Sequence, residues 1–170
     1  MRRPHYILLP ANSAFIALTL LLAFFLNLLP WGLSPIAPDF VALVLVFWCI
    51  YQPRKVGITI AFCLGLLMDV HDSTLLGQHA LAYTFLAYTA IMIHRRVLWF
   101  SPLTQALHVL PLLLLTQLLQ LVVQMIIHGK FPGWEFFYSS MVSTLLWPLL
   151  CWLLLAPQRR AVNRDENRPI

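Results

Sequence analysis

Apolar residues run through this chain in long uninterrupted stretches, and the charged residues stand only at their ends. Residues 4–38, 40–53, 56–68, 73–94, 97–129 and 136–158 contain no Asp, Glu, Lys or Arg. Runs such as LPLLLLTQLLQLVVQMII, residues 110–127, do not alternate in polarity. They predict helices rather than the short two-periodic strands of a membrane barrel. A bilayer core about 30 Å thick takes roughly 20 helical residues, so six crossings use about 120 residues and leave only short loops and tails.

Composition agrees with this pattern. The chain has 170 residues, 61% of them hydrophobic and 10% charged, with a mean hydropathy of +0.81. That is too little polar surface to cover a water-soluble globule. The expected fold is an all-α integral membrane protein of six transmembrane segments, a single membrane domain over residues 1–158 with a short basic tail at 159–170. Arg2 and Arg3 before the first apolar run resemble a signal-peptide start, but no small-x-small cleavage site follows, and the first span reads as a retained helix.

Charge sets the orientation. Arg2, Arg3, Arg54, Lys55, Arg95, Arg96, Arg159, Arg160, Arg164 and Arg168 all fall on one side when the spans alternate, and Lys130 falls opposite. Basic residues resist translocation, so both termini are expected in the cytoplasm. The net charge of +5 is then a topology signal, and no nucleic-acid partner is needed to explain it. Asp39, Asp69, Asp72 and Glu135 gather near the outer face. Trp31, Trp99 and Trp134 fall at span ends, as interfacial aromatics do.

The second and third spans are short, about 20 Å each as helices. Arg54 and Lys55 mark the turn between them, and Asp39 and Asp69 lie at nearly equal height, about 21 to 22 Å from that turn. The hairpin either crosses with its aspartates slightly below the outer surface or is re-entrant. Gly57, Ala61 and Gly65 recur every four residues before Asp69, a small-residue seam along which another helix backbone can approach closely. Asp39 and Asp72 are placed to cap the second and fourth helices. Asp69 stands at the end of the third helix, where the dipole disfavours an anion. It serves either as a functional group in the seam or as an acceptor for backbone N–H groups of the 72–77 turn.

Other chemistry is thinly signalled. Asp69, His71, Asp72 and His79 have metal-ligand side chains without ligand spacing. Asp39 with Asp69 is the sole depth-matched carboxylate pair for aspartyl hydrolysis. Gln117, Gln120, Gln124 and His128 form a polar stripe along the fifth span, facing another helix, a subunit or a polar cavity. Cys49, Cys63 and Cys151 lie in apolar spans without a redox or zinc motif and read as small core residues. No cofactor is implied.

The stretch 38–83, through Pro38-Asp39, Trp48, Pro53, Gly57, Phe62, Gly65-Leu66, Asp69 and Leu76-Gly77, resembles the core of the bacterial rod shape-determining protein MreD family. The resemblance implies a non-enzymatic, multi-pass inner-membrane scaffold of the cell-wall elongation complex. It would act with the bitopic protein MreC and, through that assembly, with MreB, RodA, RodA's transpeptidase partner and the surrounding membrane lipids. It also implies a fold similar to the substrate-binding subunits of energy-coupling-factor vitamin transporters, so a small-molecule-binding membrane subunit is the alternative.

Overall fold

The computed structural model describes residues 7–8, 11–29, 37–72, 75–129 and 133–160. Among them are six helices: α1 (Ser13–Leu28), α2 (Phe40–Tyr51), α3 (Ile58–His71), α4 (Gln78–Val97), α5 (Pro102–His128) and α6 (Tyr138–Leu155). Single 3-10 turns, Trp134–Phe137 and Ala156–Gln158, flank α6. A two-residue antiparallel ladder pairs β1 (Ile7–Leu8) with β2 (Arg159–Arg160). The stretches Pro102–Ile127 and Trp134–Gln158, 26 and 25 residues, are long and apolar enough to cross a membrane. The apolar helices α1, α2 and α3 are shorter, at 16, 12 and 14 residues.

Local sequence sets the helix ends. Asn12 caps α1 by accepting from the Ala14 N–H, and Asp39 caps α2 by accepting from that of Ala42, which offsets backbone donors that have no partner within the helix. Pro102 opens α5, where its missing N–H costs nothing. Gly77, at φ +108°, makes the left-handed turn into α4.

The short helix α2 is the centre of the bundle. Every residue from Val41 to Ile50 is buried, as an all-round apolar helix requires, and α1, α4 and α6 pack around it. Phe47 and Trp48 meet Phe15 and Trp147 there, and the Trp48 indole donates to Thr19 Oγ1 at 2.9 Å. The third helix packs chiefly on α4.

Gly65 explains how closely α3 and α4 meet: a Cβ placed on it would lie 2.3 Å from Ala80 Cα and 2.5 Å from Ala80 N. Ala61 is fully buried on the same stripe. The expected seam does not extend to Gly57, which precedes α3 and has nothing within 4 Å of where a Cβ would sit. Cys49 and Cys151 are buried as expected, whereas Cys63 is exposed. Cys63 lies two residues, or about 200°, from both Ala61 and Gly65, and so on the opposite face of α3.

Charge separates the two ends of the bundle. At the basic end, Lys55 Nζ donates to the Ala11 carbonyl at 2.6 Å, and the β1–β2 ladder brings residues 159–160 beside residues 7–8. Gln105, a buried amide at the start of α5, accepts from the Tyr51 hydroxyl at 3.2 Å and donates to the Phe100 carbonyl at 3.1 Å, joining α2 to α5. Among the described residues, Asp39, Asp69 and Asp72 gather at the other end, around His79 and Tyr83. Trp99 and Trp134 are 90% and 76% exposed at helix ends, while Trp31 lies outside the described residues.

Candidate functional site

Asp69 is 1% exposed. Its Oδ2 accepts from the backbone N–H of Gly77 at 2.8 Å and of Ala80 at 3.3 Å. Its Oδ1 accepts from the His79 N–H at 2.6 Å and from His79 Nδ1 at 3.0 Å. The carboxylate thus leaves the end of its own helix, where the dipole opposes it, and sits on the first turn of α4, where free N–H groups and the dipole favour it. Close approach at Gly65 makes this reach possible, since α3 and α4 touch through their backbones one turn away.

Asp39 is held by a second set of partners. Its Oδ1 accepts from the Ala42 N–H and from Asn27 Nδ2, both at 3.0 Å, and its Oδ2 accepts from the Tyr83 hydroxyl at 2.7 Å. Asn27 in turn accepts from the Phe40 N–H at 2.9 Å. Tyr83 and His79 are one turn apart on α4 with ring centroids 5.9 Å apart, so one face of α4 serves both aspartates. Asp39 and Asp69 each engage their own donors rather than one another, which does not provide the shared proton of an aspartyl dyad.

Asp72 takes a different place from the one its sequence position suggests. It closes α3, with Oδ1 2.8 Å from His71 Nδ1 and Oδ2 3.6 Å from His79 Nε2. Capping of α4, expected of Asp72, is performed by Asp69 across the turn. Asp69, His71, Asp72 and His79 do come together, yet no group of three or more among the described residues is arranged to hold a metal ion.

Beside this network lies a cavity of about 320 Å³. One wall carries Asn27, Asp39, Asp72, His79 and Tyr83 from the first four helical segments and their ends; the other carries Thr116, Gln117 and Gln120 of α5 with Ser139, Ser140 and Ser143 of α6. No lysine or arginine lines it among the described residues, so its field favours cations and hydrogen-bond donors. The second wall has unmet polar capacity. Ser143 Oγ and Gln117 Oε1 are buried without a hydrogen-bond partner among the described residues, as are, away from the cavity lining, Trp147 Nε1 one turn below Ser143 and Thr84 Oγ1 on α4. Burying an unpaired polar group costs about 1 to 3 kcal/mol.

The glutamine stripe divides at this cavity. Gln117 and Gln120 line it, and Gln124 is half-buried beyond it. The side chain of His128 lies outside the described residues. Asn27, Tyr83 and the three serines of α6 were not singled out in the sequence. Only the four-residue step from His79 to Tyr83, and from Ser139 to Ser143, hints that each pair shares a face.

Comparison with known proteins gives a consistent result. The family model for rod shape-determining protein MreD matches residues 11–156. The rod shape-determining protein MreD of Haemophilus influenzae (strain ATCC 51907 / DSM 11121 / KW20 / Rd) is 33% identical over 148 residues, covering 84% of this chain and 88% of the relative. No solved structure matches the chain.

Proposed function

The chain belongs to the rod shape-determining protein MreD family, and we propose that it serves rod-shape determination as a non-enzymatic scaffold that holds the bitopic protein MreC at its acidic end. Six helical segments lie in the bacterial inner membrane, with the basic end cytoplasmic and the cavity facing outward. Through MreC the assembly reaches MreB, RodA and the transpeptidase.

One observation carries this reading: the cavity sets a wall whose acidic groups are already bonded against a wall with buried, unpartnered Ser143 and Gln117. The bonded wall is rigid. The other gains most from groups that a partner supplies, because pairing them removes a penalty already present in the free chain. A catalytic reading has less support, since each aspartate is committed to separate structural donors.

Copurification from native membranes after mild solubilisation, followed by native mass spectrometry, tests the proposal. MreC should remain bound at a defined stoichiometry. Retention of a small molecule with no bitopic partner would overturn it.

A further inference from the structure

At the basic end, away from the cavity, the last turn of α4 and the start of α5 enclose an open recess of about 660 Å³. Ile93 and Phe100 supply apolar surface, Arg95, Arg96 and Trp99 also line it, and His108 stacks on Phe100 at 4.7 Å. Both arginines are exposed, and among the described residues neither has an ion-pair partner. Topology and the α4 dipole account for basic residues at this end. What they leave unspecified is the shape: two unpaired guanidinium groups and the 90% exposed Trp99 line one recess together with apolar side chains.

We infer that this recess binds an anionic phospholipid of the cytoplasmic leaflet. The guanidinium groups take the phosphodiester, for which their planar fork is suited, and the acyl chains lie along Ile93 and Phe100. Trp99 sits at headgroup level. The apolar floor favours a lipid over a free anion, and basic pockets on this side of a membrane are suited to such headgroups. The site rests on the orientation proposed above, but lipid selectivity measured in detergent does not depend on that orientation or on the scaffold role.

Native mass spectrometry of the full chain, titrated with phosphatidylglycerol or phosphatidylcholine of matched acyl chains, tests the inference. The wild type should retain phosphatidylglycerol preferentially, and the exposed double variant Arg95→Gln/Arg96→Gln should lose about five-fold in that preference per arginine. Arg54→Gln, at the same end, should leave it intact. The inference is overturned by equal retention of the two lipids, by an equal loss in Arg54→Gln, or by a preference unchanged in the double variant. Displacement of the lipid by millimolar glycerol 3-phosphate or by a soluble oligoglutamate would equally overturn it, marking a free-anion or protein site instead.

Discussion

Asp69 and Ser143 are equally buried, at 1% exposure each, yet their polar atoms fare differently. Asp69 is met by three backbone N–H groups and an imidazole, while the Ser143 hydroxyl has no partner among the described residues. Asp69 lies behind the wall that Asp72, His79 and Tyr83 present, while Ser143 lines the cavity itself, and the contrast separates what builds the site from what it offers. Polar groups that meet inside the chain hold α1 to α4 together. Of the buried polar atoms left over, those of Gln117 and Ser143 line the cavity, where a second molecule could meet them.

The contrast is broken most easily at Asp69. Asp69→Leu removes the acceptor of several buried donors, each left at a cost of about 1 to 3 kcal/mol, so it should unfold the acidic end and lower stability by about 3 kcal/mol or more. Denaturant unfolding in mild detergent reads this, and cells relying on the variant should round up. Wild-type stability and rod shape together would show that the capping of α4 is dispensable. Gly65→Ala comes next. Its methyl would collide with the Ala80 backbone and force α3 from α4 at about 1 to 3 kcal/mol, visible in the same assay.

A smaller effect is expected at Tyr83. Tyr83→Phe leaves Asp39 with its Asn27 and Ala42 donors and should cost about 1 kcal/mol, the net worth of one hydrogen bond. A loss as large as that of Asp69→Leu would mean that Asp39, rather than Asp69, organises the wall. Gly57→Ala should lie within about 0.5 kcal/mol of wild type, since its methyl meets nothing within 4 Å. A large loss there would restore the longer seam expected from the spacing.

Much of the architecture was readable because charges punctuate the chain. Arg54 with Lys55 and Arg95 with Arg96 fall at the turn before α3 and the end of α4, where short loops in a membrane protein concentrate them. Gly65 was readable through its spacing to Ala61, and the misfit of Asp69 with its own helix dipole marked it as needing a partner. Of the two roles open to Asp69, accepting from the 72–77 turn is met at the Gly77 N–H, whereas its reach to His79 and Ala80 in α4 was not readable. A carboxylate bonding to a neighbouring helix depends on how far apart two axes lie, and the nearer Asp72 was the natural candidate cap. The serines of α6 were silent for another reason: hydroxyls in membrane helices commonly return to their own backbone, as Thr144 Oγ1 does to the Ser140 carbonyl at 2.7 Å, and nothing local distinguishes Ser143, which does not.

On the proposal that the α5–α6 wall receives MreC, the double variant Ser143→Ala/Gln117→Leu is the most direct test when thermal stability and MreC retention are measured on one preparation. Deleting unpartnered polar atoms should leave stability at or above that of wild type, since a burial penalty is relieved, while retention of MreC falls about tenfold through the lost intermolecular bonds. Full retention at wild-type stability, or a loss of retention that merely follows a loss of stability, would contradict the account.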